Sequence, residues 1–205
     1  MATDDSLVVL IDDDPAVHAS LDSLFRSVDQ PFRAFASTRD FLEGTIPDVA
    51  CCLVLDVRLP VQSALVVQPA LRRLQRPVPI VCITGHGDVP MSVEAMKAGA
   101  IEFLTKPFRD QDILDAVNRG LRLDRERRQA AARSSGLRER YRSLTPRERD
   151  VMGFVAEGLL NKEIAARLEL SVVTVKVHRA QVMRKMGARS VADLVRLADS
   201  LTADV

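Results

Sequence analysis

Five residues in the first half of this chain could act together chemically. Asp12 and Asp13 follow the apolar run Leu7–Ile11, Asp56 follows Cys51–Leu55, Thr84 follows Pro79–Ile83, and Lys106 lies just beyond Ile101–Leu104. Short, near-continuous apolar runs are strands buried on both faces, as in parallel sheets. In open α/β sheets, ligands and chemistry sit at the carboxyl ends of the strands, where all five residues fall. Three carboxylates in one small space repel each other. A hard divalent cation relieves that repulsion, and Mg²⁺ needs only a few protein oxygens plus water. Such a set can hold a phosphoryl group: the Asp56 carboxylate is the nucleophile of an acyl phosphate, and the cation neutralises charge on phosphoryl oxygens. Lys106 and Thr84 would pair with other oxygens. Each residue also has a plainer reading. Asp56 can cap a turn, Asp12–Asp14 can cap a helix with favourable dipole charges, Lys106 can be a solvated loop lysine and Thr84 a turn hydroxyl. Coincidence at four strand ends is the poorer account.

These residues need a scaffold that brings the strand ends level. Pro15 suits a first helical turn, and that helix runs to about Val28 on Val17, Leu21, Leu24 and Phe25. Phe32–Ala36 is a second strand, and Ser37 caps a helix carrying Phe41 and Leu42. A helix is expected from about Ser63 to Leu74, with Pro69 implying a kink or a late start. Another runs from about Val89 to Ala98, with Gly99 just past its end. The last begins near Asp110 and uses Ile113, Leu114, Val117 and Leu121. Five β-then-α units over 1–123 describe a doubly wound α/β domain with a parallel sheet and right-handed crossovers.

From 124 to 142 the composition turns charged and rich in Ala and Arg, broken by Ser134-Ser135-Gly136. This reads as a helical extension with a flexible joint. The segment 143–205 is all helical. Thr145-Pro146-Arg147-Glu148 is a capping box with Pro at the first helical position. Asn161 is expected to cap a second helix and Ser171 a third, which runs from about Val172 to Met186 and stops at Gly187. Ser190 and Asp193 open a fourth. A short helix, a tight turn and a longer helix make a helix-turn-helix.

Charge separates the two halves. Residues 1–123 hold 12 basic and 17 acidic side chains, a net −5; residues 124–205 hold 17 and 11, a net +6. The basic half suggests a nucleic-acid partner; a solvated basic linker is the plainer alternative. No apolar run is long enough to span a membrane, and the acidic start MATDDSLVV lacks the basic opening of a signal peptide. Cys51, Cys52 and Cys82 lie inside expected strands without metal-ligand spacing, which suits reduced core thiols and a cytoplasmic location.

The motifs IDDD, LDVRLP and ITGHGDVPMSVEAMKAGAIEFLTKPF, with their spacing, make the first 123 residues resemble the receiver domain of bacterial two-component response regulators. The last 63 resemble the LuxR-type helix-turn-helix through SLTPRERDVMGFVAEGLLNKEIAARLELSVVTVKVHRAQVMRKMGARS. Together they look like the FixJ subgroup of the NarL/FixJ regulators.

The resemblance implies a flavodoxin-like receiver with sheet order 2-1-3-4-5, plus an all-α four-helix output domain. Asp56 would accept phosphate from a histidine kinase. Asp13 and Asp56, with the backbone carbonyl of Arg58, would bind Mg²⁺ directly, and Asp12 partly through water. Thr84 and Phe103 would be the switch pair, Lys106 would contact the phosphoryl group, and the Lys106–Pro107 bond would be cis. The surface of the helix after the fourth strand, with the fifth strand, would pair two receivers. The partners implied are the kinase, promoter DNA and a second copy of the chain once phosphorylated, with RNA polymerase as a further candidate and no membrane. The chain would not be an enzyme beyond slow autodephosphorylation. Ala64 stands where receivers usually carry glycine; if that loop needs positive φ, alanine costs about 1 kcal/mol.

On the third output helix, Val175, Val182 and Met186 share a stripe that should face the core. Lys176, Val177, Ala180, Gln181 and Arg184 lie opposite, on a face able to enter the major groove. Lys176 can reach guanine edges and Val177 a thymine methyl, and by resemblance these two occupy base-reading positions. Thr174, Arg179, Arg184 and Lys185 suit phosphates, which position without specifying. The plainer reading is a solvated charged face. His178 is read as structural or phosphate-facing, and His18 and His86 show no metal or catalytic pattern. The apolar fourth helix suggests pairing with its copy on a two-fold site. Two other readings compete: a phosphorylation-independent DNA-binding regulator with a degenerate receiver, motivated by Ala64, and a hydrolase with an Asp nucleophile, which the separate helix-turn-helix opposes.

Overall fold

The structure is a computed structural model and describes residues 6–57, 77–85 and 89–202. Arg58, Ala64, His86 and the helix expected over Ser63–Leu74 lie outside the described residues. The chain divides into two units, Met1–Arg128 and Gln129–Val205.

The first unit holds β1 (Ser6–Ile11), α1 (Pro15–Ser27), β2 (Phe32–Phe35), α2 (Thr38–Glu43), β3 (Ala50–Asp56), β4 (Ile80–Thr84), α3 (Val89–Lys97), β5 (Glu102–Thr105) and the first half of α4 (Asp110–Arg142). All strand pairs are parallel, in the order β2-β1-β3-β4-β5. The apolar runs are buried on both faces because successive side chains point to opposite sides of a strand. Leu7, Val9, Ile11, Cys51, Leu53, Leu55, Ile80 and Cys82 face one core with Phe41 and Ala95. Val8, Leu10, Cys52, Val54, Val81 and Ile83 face the other, against Leu21 and Phe25 of α1 and Ile113, Val117 and Leu121 of α4.

The register fixes the site. Ile11 pairs with Leu55, Asp56 with Ile83 and Thr84 with Thr105. The residues that follow Ile11 and the ends of β3, β4 and β5 therefore share one rim.

The break expected at Ser134-Ser135-Gly136 is absent: α4 runs without interruption to Arg142. Alanine and arginine on either side are strong helix formers, and their sum outweighs the ~1 kcal/mol cost of one glycine. Leu137, 6% exposed, is anchored in the output core.

The second unit continues with α5 (Pro146–Ala156), α6 (Asn161–Leu168), α7 (Val172–Met186) and α8 (Val191–Thr202). The capping box is present: Glu148 N–H donates to Thr145 Oγ1 at 3.3 Å, and Thr145 N–H donates to Glu148 Oε2 at 2.8 Å. Ser171 caps α7 by accepting from Thr174 N–H at 3.0 Å, and Gly187, at φ 69°, ends it in the left-handed conformation. Asn161 is not the cap of α6. That place falls to Leu160, whose N–H donates to Glu163 Oε2 at 2.7 Å, and Asn161 is the first helical residue.

The core of this unit joins Val151, Met152 and Val155 to Ile164, Ala165, Val175, Val182, Met186 and Leu194. Leu197, Ala198 and Leu201 pack against it. Of the apolar residues of α8, read from sequence as a pairing surface, Leu194 and Leu197 belong to this core, whereas Val191 is exposed. Among the described residues no helix is long and apolar enough to cross a membrane.

Candidate phosphoacceptor site and nucleic-acid interface

At the carboxyl rim of the sheet, Lys106 bridges two carboxylates. Its Nζ lies 2.7 Å from Asp12 Oδ2 and 2.8 Å from Asp56 Oδ2. Asp12 is fully buried, Asp56 is 3% exposed and Thr84 is buried at the end of β4. The Lys106 backbone N–H donates to the Thr84 carbonyl at 2.7 Å, which ties the lysine-bearing loop to the next strand end. The Lys106–Pro107 bond is cis, as the resemblance implied. Burial pulls the Lys106 ammonium pKa down, but the hydrogen bonds and charges of Asp12 and Asp56 outweigh it and hold the value above that of an ordinary lysine.

The acidic loop after β1 divides its work. Asp14 caps α1, with its Oδ1 accepting from Ala16 N–H at 2.8 Å. Asp12 Oδ1 accepts from Asp14 N–H at 2.9 Å, which fixes the carboxylate's orientation. Asp13 is exposed. The capping reading of this acidic run thus belongs to Asp14, and the site reading to Asp12. His18 was without an assigned partner in the sequence; its Nε2 lies 2.6 Å from the Asp12 carbonyl oxygen.

Among the described residues no three acidic, histidine or cysteine side chains close on a common point as a metal-holding group. Asp12 and Asp56 turn to Lys106 instead. The chemistry of the set still suits a hard cation: two buried carboxylates face one ammonium, and Asp13, the next residue in the chain after Asp12, is an exposed third acid. Phe103, the other member of the proposed switch pair, is half-buried on β5 opposite Cys82 and packs against the core.

In the output unit, α7 turns Val175, Val182 and Met186 inward, each fully buried. At 3.6 residues per turn, Val173, Val177, Ala180 and Arg184 form the line opposite, flanked by Lys176 and Gln181. Lys176, Val177 and Arg184 are exposed, and Arg184 Nη2 donates to Gln181 Oε1 at 2.5 Å. Three other nominated contacts are engaged within the domain. Thr174 Oγ1 and Ser171 Oγ lie 2.8 Å apart, and Arg179 Nη1 donates to Asn161 Oδ1 at 2.8 Å. Lys185 Nζ lies 2.6 Å from Glu148 Oε2 and 3.2 Å from the Ser143 carbonyl oxygen, joining α7 to α5. Glu148 is held below the ordinary glutamate pKa, first by the Lys185 hydrogen bond, which with the Thr145 N–H outweighs desolvation.

Comparison with known proteins assigns both domains. Residues 8–118 match the response regulator receiver domain, and residues 142–198 match the bacterial regulatory proteins of the luxR family. Nodulation protein W of Bradyrhizobium diazoefficiens is 50% identical over 98% of this chain and 88% of its own. The transcriptional regulatory protein FixJ of the same organism is 40% identical over 93% of each. The solved structure of the response regulator StyR superposes with a TM-score of 0.87 at 46% identity, covering 95% of this chain and 98% of that one. The chain belongs to the two-component response regulators, with a receiver domain and a DNA-binding helix-turn-helix domain. Within that class it is of the NarL/FixJ type, a transcription regulator.

Proposed function

We propose that Asp56 accepts a phosphoryl group from a phosphohistidine of a sensor kinase, and that this controls dimerisation and promoter binding. The Lys106 bridge between Asp12 and Asp56 carries the reading. It holds a cation against the acceptor carboxylate at the end of β3, where incoming phosphoryl charge must be neutralised. An Asp56 carboxylate oxygen forms the O–P bond, the P–N bond to the donor imidazole breaks, and the imidazole nitrogen takes a proton. Asp12, Asp13 and Asp56, with the Arg58 carbonyl, would hold Mg²⁺, which supplies charge neutralisation when bound. Thr84 and Lys106 would receive the phosphoryl oxygens, and Phe103 would follow Thr84. No further reaction is assigned to the chain beyond slow loss of the phosphoryl group.

Val93, 43% exposed, and Met96, 47% exposed, give α3 an apolar outer face beside β5. This supports pairing of two receivers there. Two paired copies would present two α7 helices to the half-sites of one promoter. Acetyl phosphate with Mg²⁺ should label the wild-type chain and leave Asp56→Asn unlabelled; a persistent label in Asp56→Asn would overturn the acceptor assignment. Sedimentation with and without beryllofluoride tests the dimer, and an unchanged monomer would remove it.

A further inference from the structure

We propose that Arg140 is a positioning residue for DNA binding: from the last turn of α4 it caps the recognition helix α7, which makes residues 129–142 a working part of the DNA-binding domain rather than a spacer. The proposal rests on the helix-turn-helix domain identified above and not on phosphorylation at Asp56. Arg140 Nη1 donates to the Met186 carbonyl oxygen at 2.9 Å. Met186 is the last residue of α7 and is fully buried. The last four carbonyls of a helix have no partner within it. The turn that follows α7 serves the first two: Ala188 N–H donates to the Met183 carbonyl at 3.0 Å and Gly187 N–H to that of Arg184 at 3.2 Å. The Met186 carbonyl is shut off from water, and the guanidinium meets it. A cation at this end also complements the helix dipole, and the bond is charge-assisted.

The place of the guanidinium is built. Residues 129–142 fall in the output unit. Leu137 is buried in the output core, and Tyr141 packs against the same core. Four residues apart, they share one side of α4, so the turn that carries Arg140 is held against that core. Arg140 Nε also donates to the Gly136 carbonyl at 3.3 Å, which draws the side chain back along its own helix. Gly187 leaves the space: a Cβ there would stand 2.9 Å from Arg140 Nη1. Glycine at this position thus serves both the left-handed turn at φ 69° and the guanidinium beside it. Lys185 Nζ donates to the Ser143 carbonyl at 3.2 Å, so the loop after α4 holds the same end of α7.

With Ser171 capping its start, α7 is secured at both ends. Binding groups work best when a supporting shell locks their geometry. An end left loose must be ordered on the duplex, which lowers affinity. A basic side chain in this segment has a plainer use, direct contact with a DNA phosphate. Arg140 is already engaged by Met186, and salt dependence separates the two roles.

The test uses the full-length chain with Mg²⁺ and beryllofluoride, and duplexes selected from a random library by the wild type in that state. Arg140→Met should bind them roughly tenfold more weakly, the lower end for one hydrogen bond to a charged group. Its salt dependence should match wild type, because no phosphate contact is lost. Arg140→Gln keeps an N–H donor and should recover most of the loss. Gly187→Asn keeps a turn that asparagine tolerates but sets a Cβ against the guanidinium, and should weaken binding as Arg140→Met does. In the free chain, hydrogen exchange at the Gly187 and Ala188 amides should be faster in Arg140→Met. Wild-type affinity or wild-type exchange in Arg140→Met would overturn the proposal. So would a loss of affinity with a salt slope lower by about one and no rescue by glutamine, which would assign Arg140 to a phosphate. Duplex binding indifferent to beryllofluoride would remove the phosphorylation control and leave the comparison of Arg140 variants intact. A chain that selects no duplex in either state would overturn the positioning role together with DNA binding.

Discussion

The Asp124 carboxylate accepts a hydrogen bond from the Cys51 backbone N–H at 2.9 Å, which joins α4 to the start of β3, the strand that ends in Asp56. Asp124 is 4% exposed. Two neighbours on the helix reach the same end of the receiver: Arg127 Nη1 donates to the Pro77 carbonyl at 2.6 Å, and Arg128 Nη2 to Asp48 Oδ1 at 2.9 Å. The helix is thus fastened at the amino-terminal edge of the sheet, opposite the phosphoacceptor rim. Asp124→Ala should cost the receiver about 1–3 kcal/mol, the range for stranding a buried partner. Asp124→Asn, which keeps an acceptor, should cost less. Hydrogen exchange at the Cys51 amide reads this directly, and unchanged protection in Asp124→Ala would contradict it. Labelling at Asp56 should persist in both.

Gly120 and Gly136 lie on the same helix and should respond oppositely to alanine. A Cβ at Gly120 would overlap Cys52 Sγ and stand 3.1 Å from Ile101 Cδ1, whereas one at Gly136 meets nothing within 4 Å. Gly136→Ala should stabilise by about 0.5–1 kcal/mol through helix propensity. Gly120→Ala should destabilise by about 1–3 kcal/mol because the packed sheet cannot give way. Thermal unfolding of the two variants separates the effects. Equal stabilisation of both would mean that α4 does not pack on Cys52 as described.

Most of the receiver was legible because parallel strands buried on both faces leave plain apolar runs. Their ends mark the rim without further information. Asp12, Asp56, Thr84 and Lys106 were found this way. What was missed depends on bonds between distant backbone and side-chain atoms. Asp124 follows Val117 and Leu121 at helical spacing and so lies on the core stripe, the one signal of its burial that the sequence carries. The His18 contact with the Asp12 carbonyl has no counterpart in any local pattern. In the output domain, capping chemistry named Thr145, Glu148 and Ser171 correctly. Asn161 misled because its side chain is engaged by Arg179 rather than by its own helix. The Lys185 bond to buried Glu148 was likewise invisible, because a basic side chain at a helix end looks alike in sequence with or without such a partner.

The Glu148–Lys185 bridge makes the output domain acid-sensitive. Glu148 has its pKa lowered by folding. A group of this kind contributes stability that is complete above its unfolded value and is lost as the pH falls through the folded one. Output-domain unfolding, followed by the circular dichroism of its helices, should therefore become easier as the pH drops below the ordinary glutamate range. Glu148→Gln should flatten that dependence and cost about 1–2 kcal/mol at neutral pH, through the weakened bridge and cap. An acid limb as steep in Glu148→Gln as in wild type would assign the sensitivity elsewhere.

Lys106 opposes the charge of Asp12 and Asp56 in the same space a divalent cation would serve. Its pKa is raised by folding, so its contribution is complete below the ordinary lysine value and is lost as the pH rises through the higher folded one. Lys106→Met removes that charge at neutral pH and leaves two buried carboxylates facing each other. Its cost should be about 2–3 kcal/mol, less than for a fully buried pair because the lysine side chain is 21% exposed. The same change deepens the local negative potential and removes a competitor for Asp56. Adding Mg²⁺ should therefore raise the receiver's melting temperature more in Lys106→Met than in wild type. A smaller Mg²⁺ shift in the variant would mean that lysine and cation do not compete for this carboxylate pair.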